Sequence, residues 1–263
     1  MSTTTLTAAS HRVTTPRVLH AEWHKLRTLR STWITLLAGS ALTIATGITI
    51  GATYTPAGGD SDMDPVLLVL IGTQFTQISL AVLAILVTAG EYPTGMIRAT
   101  MTAVPRRPPV LWAKSAVFAA TAFATSLATA FITFPSAQLF LQGTDQETSL
   151  TDPGILRTLF TSSAGLTLLG LLALGLGALL RSVPGANGAF IGGVMILPEV
   201  LRMLPYDVVA DAAKYFPAKC LETLTTAHPD PGAPSPGMAL LAMALWAAST
   251  LTPAALLLKH RDV

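Results

Sequence analysis

Few residues of this chain could do chemistry in water, and many of them crowd into one stretch, GEYPTGMIRATMTAVPRR at 90–107. Glu91, Tyr92, Arg98, Arg106 and Arg107 supply charge and hydrogen-bonding groups there, while Met96 and Ile97 supply apolar contact. Pro93 stands near a first helical position, where a missing N–H is harmless. Pro105, Pro108 and Pro109 stop continuation. The spacing predicts a short helix over 94–104, about three turns, with Glu91 near its positive end. Such an element is either a solvated linker with charged flanks or a surface on which a protein partner docks.

Catalytic patterns are missing from the chain. There is no GxxxxGK[ST] phosphate loop, so ATP is not expected to be bound and hydrolysed by that route. HExxH and GxSxG are absent too. The single cysteine, Cys220, excludes an intrachain disulfide and any multi-cysteine metal site. All five histidines lie outside the apolar stretches, as do all the aspartates, so an intramembrane protease of either kind would lack its acid–base group. A proton relay inside the bilayer, at about 2.5–3.5 kcal/mol per charge, is likewise not seen. The chain is not expected to be an enzyme or to bind a cofactor or metal, and nucleic acid is not an expected partner. Amides and hydroxyls are the polar groups within apolar sequence, among them Gln74, Gln77 and Gln138. Gln74 and Gln77 are three apart and share a helical face. They serve either as glue between helices or as the lining of a passage.

The elements that must position these groups read as membrane. Of 263 residues, 51% are hydrophobic and 11% charged, with mean hydropathy +0.57; soluble domains carry roughly a quarter charged residues. Six apolar stretches, near 33–54, 66–89, 113–141, 155–180, 186–204 and 238–258, approach or exceed the about 20 helical residues a bilayer needs. The third is overlong, and Pro135 is expected to kink it or to mark where it leaves the hydrocarbon. The fifth carries Gly188 and Gly192 as a GxxxG, which allows close helix approach, and Glu199 and Arg202 towards its end. No cleavable leader is visible, so the first stretch is expected to stay as an anchor. Residues 1–32 divide into a polar tail and a helix starting at Thr15-Pro16. That helix sets Leu19, Trp23, Leu26, Leu29 and Trp33 on one face. Glu22, Lys25, Arg27 and Arg30 lie on the others, the pattern of an interfacial helix with Trp23 among headgroups and basic groups towards anionic lipid.

Basic residues set the orientation. With six spans, twelve of sixteen Lys and Arg fall on the side of both termini and of 90–107, and eleven of fourteen acids fall opposite. Short loops follow the positive-inside rule, so both termini are expected in the cytoplasm of a cell-membrane protein. The connection 205–237 is rich in proline and carries two segments, VVADAAKYF and AKCLETLTTA, each able to make two helical turns. They form either a plain outer loop or short helices dipping back, which membrane depth tolerates only where protein or water satisfies the backbone. The expected fold is an all-α integral membrane protein: six transmembrane helices over 33–258, an interfacial helix before them, short outer helices before the last span, and a tail at 259–263.

Five segments together resemble the permease subunits of type-2 ATP-binding-cassette (ABC) exporters of the actinobacterial kind. They are AEWHKLRTLRSTW at 21–33, residues 90–107, LGLGALLR ending at Arg181, FPAKCLETL at 216–224, and the terminal LLLKHRD. The resemblance implies that 21–33 is an elbow helix, that 205–237 forms re-entrant outer helices, and that 90–107 is the coupling element seated in an ATPase subunit. Asp207, Asp211, Lys214 and Lys219 depart from that family's apolar character in the outer region. By the same resemblance, two permease chains, as a homodimer or heterodimer, work with two ATPase subunits that hold ATP and Mg. Glu91, Tyr92, Met96, Ile97 and Arg98 are then the docking residues, and the cargo is an amphipathic drug, antibiotic, lipid or peptide. A non-transporting anchor or sensor subunit, and an autonomous secondary transporter or channel, are the competing readings.

Overall fold

A computed structural model describes residues 14–55, 64–96, 108–229 and 232–260. Among them every regular element is a helix, and five helices are long and apolar enough to cross a membrane, the mark of a multi-pass membrane protein. The polar tail before residue 14, residues 97–107 (with Ile97, Arg98, Arg106 and Arg107) and residues 261–263 lie outside the described residues.

Helix α1 (Thr15–Thr28) starts behind Thr14 with proline in its first turn and ends at extended Leu29, after which α2 (Arg30–Thr53) begins. Trp33 therefore belongs to α2, and its indole N–H donates to the Arg27 carbonyl at 2.8 Å across the corner. The second apolar stretch is two helices, α3 (Pro65–Leu70) and α4 (Thr73–Ala89), broken at Ile71–Gly72. Asp64 caps α3 through the amides of Val66 and Leu67.

The break has a local cause. A Cβ at Gly72 would stand 2.9 Å from the Thr43 carbonyl and 2.9 Å from the Thr46 Cβ, so glycine lets α2 press against it. The Thr43 hydroxyl donates to the Gly72 carbonyl at 2.8 Å and accepts from Thr76 at 2.8 Å. Interrupted backbone at membrane depth needs such partners, because lipid supplies none.

Helix α5 (Pro108–Leu141) is unbroken over 34 residues, and Pro135 lies inside it. At 1.5 Å per residue it is about 51 Å long, more than a hydrocarbon core of about 30 Å. Helix α6 (Ile155–Leu180) is the most enclosed of the long helices. Glycine permits its close packing: a Cβ at Gly175 or Gly177 would collide with the hydroxyls of Thr250 and Thr88. Those hydroxyls donate to the Leu172 and Leu174 carbonyls at 3.2 and 3.3 Å. Small residues and inter-helix hydroxyls are the means of association where lipid tails compete equally for apolar contact.

Helix α7 (Val183–Arg202) is α-helical except over Ile191–Ile196, a π-helical stretch. Pro198 stands two residues beyond it; it cannot donate to the carbonyl four residues back, and the wider turn absorbs the misfit. Two short helices, α8 (Asp207–Ala213) and α9 (Pro217–Thr225), then precede α10 (Pro236–His260). The proline-rich connection is thus helical where expected. Helix α9 lies along α6: Arg157 donates to the Ala227 carbonyl, Thr161 to the Leu224 carbonyl, and Gly165 faces Leu221 and Leu224. Trp246 of α10 donates to the Tyr215 carbonyl at 3.0 Å. The short helices therefore reach about ten residues, roughly 15 Å, along both neighbours.

Side-chain contacts define two ends of the bundle. At one meet Glu22, Lys25, Glu91, Tyr92, Lys114 and Arg181. At the other, Tyr54 donates to Asp145 at 2.8 Å, and Asp64 accepts from the His228 amide at 2.8 Å. These are called the basic and acidic ends below.

Candidate functional site

The basic end holds four charges in one cluster. Helix α1 contributes Glu22 and Lys25, the turn after α4 contributes Glu91, and α5 contributes Lys114. Lys114 Nζ lies 2.8 Å from Glu22 Oε2 and 2.8 Å from Glu91 Oε1. Lys25 Nζ lies 2.8 Å from Glu22 Oε1 and 3.3 Å from Glu91 Oε1. Glu22, Glu91 and Lys114 are only 5–7% exposed. Two carboxylates and two ammonium groups balance, which is what lets such charges leave water. Burial pushes the Glu22 carboxyl up, but Lys114 and Lys25 outweigh it and hold it below its ordinary value. Burial likewise opposes the charge on Lys25, yet Glu22 and Glu91 raise its ammonium above its ordinary value.

This arrangement places the residues singled out in the sequence. Glu91, expected on the docking surface, is turned inward onto Lys114 and Lys25. Helix α1 packs Val18, Glu22 and Leu26 against α5 and leaves Trp23, Leu29 and Trp33 exposed. Arg27 and Arg30 are exposed with them. Tyr92 lies under Arg181, 5.2 Å from guanidinium to ring centre, a cation–π contact that ties the turn to the end of α6. Met96 is exposed.

Sequence reasoning missed Glu22 and Lys114 as a pair. A signal was present: Lys114 is a solitary charge a few residues inside a long apolar helix, and Glu22 stands three residues before Lys25 on α1. A buried lone lysine needs a carboxylate, and the first helix carries only one.

The acidic end contains two adjoining cavities. One of about 700 Å³ is walled by Asp64, Arg202, Lys214, Lys219, Glu222 and His228, among others. A second of about 330 Å³ shares Leu67, Lys219 and Glu222 with it and runs to Gln74, Gln77, Met195 and Thr225. Lys219 links the walls, 2.9 Å from Glu199 and 2.9 Å from Glu222, and Glu199 also meets Arg202 at 3.5 Å. Gln74 and Gln77 thus line one cavity together. Gln138 is elsewhere: it donates to Thr148 Oγ1 at 2.9 Å and accepts from the Thr148 amide at 3.0 Å, holding the loop after α5.

No group of His, Cys, Asp and Glu among the described residues is placed to hold a metal ion, and Cys220 is buried and unbridged. The arrangement ties α1, the turn after α4 and α5 together at one end and leaves room for a solute at the other. Comparison with known proteins finds no family model and no curated protein that matches the chain.

Proposed function

We propose that the chain is the membrane-spanning permease subunit of a type-2 ABC exporter, powered by a separate ATPase and working beside a second permease chain. In this reading six segments cross the cell membrane: the five long helices and the broken α3–α4 pair. Helix α1 lies at the cytoplasmic surface with Trp23 among lipid headgroups, and the basic end faces the cytoplasm, in keeping with the positive-inside rule.

The observation that carries the reading is the buried bridge of Glu22, Glu91 and Lys114. It clamps the start of the 90–107 segment to α1 and α5, while Tyr92 engages Arg181. A load applied by an ATPase to Met96, Ile97 or Arg98 is passed directly to α4, which carries Gln74 and Gln77 at its far end. The two joined cavities at that end favour transport over a mere anchor. Their polar wall and apolar flanks suit an amphipathic cargo.

The test is co-purification followed by reconstitution. The chain alone should hydrolyse no ATP, and the complex with its ATP-binding subunit should hydrolyse it and export cargo. Glu91→Gln together with Arg98→Ala should uncouple hydrolysis from export while the protein still inserts. Gradient-driven flux in liposomes holding this chain alone would overturn the proposal.

A further inference from the structure

The face of α1 that looks away from the bundle is cationic. Val18, Glu22 and Leu26 are buried on the other side. Residues three and four apart share a helical face, so His20, His24 and Arg27 form one stripe opposite that buried set, with Arg17 a turn before them. All four are exposed. The rings of His20 and His24 meet edge to face, with centroids 4.4 Å apart. Glu22, the acid of α1, and Glu91, which the turn after α4 brings against it, both engage Lys25 and Lys114 on the buried side. Among the described residues no acid is in salt-bridge contact with His20, His24, Arg27 or the neighbouring Arg30. Lys25 is held inside by the two carboxylates, and the histidines stand on the outer face in its place.

Three indoles set the level at which this stripe lies. Trp23 borders it on α1, Trp33 stands in the first turn of α2, and Trp112 stands at the start of α5; all three are exposed. Exposed tryptophans on neighbouring helices at one end of a membrane bundle sit at headgroup level. We infer that the His20–His24–Arg27 stripe is a contact for anionic phospholipid headgroups, and that the contact strengthens as pH falls. Charge complementarity selects the lipid. The stripe offers N–H donors and no carboxylate, so it matches a phosphate diester without an ammonium of its own, whereas phosphatidylcholine brings a second cation. Histidine is the side chain whose charge changes between about pH 5 and 8. Two imidazolium rings at this spacing repel each other and the flanking Arg17 and Arg27. A phosphate lying across them relieves that repulsion, so anion binding and proton uptake favour one another. The inference rests on the reading of α1 as a helix at the membrane surface and is independent of whether the chain transports anything.

The full-length chain is reconstituted into vesicles of mixed phosphatidylglycerol and phosphatidylcholine, with one lipid or the other brominated in its acyl chains to quench nearby tryptophan. The fluorescence lost in Trp23→Phe isolates the indole beside the stripe. Phosphatidylglycerol keeps its negative charge across the titration, so a change with pH belongs to the protein. At about pH 8 the lipid beside Trp23 should be enriched in phosphatidylglycerol about fivefold, the worth of one guanidinium at an anionic surface. At about pH 5.5 the enrichment should be at least about threefold larger. His20→Gln with His24→Gln should remove the rise and keep the preference seen at the higher pH. Arg27→Gln should lower the preference throughout. Equal enrichment of the two lipids at both pH values would overturn the inference and leave the stripe to an acidic protein surface. A rise that persists in the double variant would overturn the role of the histidines. Trp23 quenched by neither lipid would overturn the placement of α1 among headgroups, and the inference with it. No ATPase or cargo is present, so the exporter proposal stands or falls on its own test.

Discussion

Replacing Lys114 with methionine removes the hub of the buried charge cluster while keeping an apolar stem of similar length. Lys114 makes two contacts of 2.8 Å. At an effective dielectric near 20 each is worth about 6 kcal/mol before desolvation is counted. Most of that gross figure is offset by taking three ions out of water. The loss that remains is set by what the substitution leaves behind: two carboxylates, both over nine-tenths buried, sharing Lys25 alone. Breaking a buried pair in this way costs about 3–5 kcal/mol. Adding Glu22→Gln and Glu91→Gln to Lys114→Met removes the orphaned charges, so the triple variant should regain at least about half of the loss. Unfolding in mixed micelles, titrated with SDS and followed by tryptophan fluorescence, reads the series. A single variant within about 0.5 kcal/mol of the parent, or a triple variant less stable than the single, would refute the reasoning.

The same cluster sets a pH profile. Glu22 is held below its ordinary 4.5, so its contribution is complete above that value and is lost as pH falls through the lowered one. Lys25 is raised above 10.5, so its contribution is complete below that value and is lost as pH rises through the raised one. Midpoints measured against pH should show a plateau between, and an acid limb unchanged in Glu22→Gln would contradict the assignment. Thr43→Val should cost about 1–3 kcal/mol by stranding the Gly72 carbonyl; denaturation at the parent's midpoint would speak against it. Gly177→Val should part α4 from α6 at Thr88 and Ile85, at about 1–3 kcal/mol, seen as lost monodisperse yield. For topology, Asp145→Cys should react with an impermeant maleimide on intact cells and Arg106→Cys should not. Buried Cys220 keeps the background low; the reverse pattern would invert the proposed orientation.

Much of the helical layout was legible because each apolar stretch is bounded by charge, proline or glycine. The expected 155–180 is α6 to the residue, and VVADAAKYF and AKCLETLTTA became α8 and α9. The break at Ile71–Gly72 was not legible. LLVLIGTQF reads as continuous apolar sequence, and what interrupts it is Thr43, nearly thirty residues away, pressing on a residue without a side chain. The inward turn of α1 was hidden for a similar reason. Hydrophobic periodicity picks out Leu19, Trp23 and Leu29, yet a helix between lipid and protein has two faces to satisfy. The protein-facing one carries a glutamate because Lys114 awaits it on α5. The charge partners of a membrane helix are set by the neighbour, and only the fold brings the neighbour to it.

The two interruptions in helical order have a joint consequence. Ile71, in the gap between α3 and α4, and Met195, within the widened turn of α7, both border the 330 Å³ cavity. Straight helices carry an unbroken backbone ladder, whereas in these two walls the ladder is interrupted or widened where they flank the chamber. Two walls of this chamber are thus built from interrupted helix, so their shape rests on side-chain contacts such as that of Thr43 with Gly72 as well as on the backbone ladder.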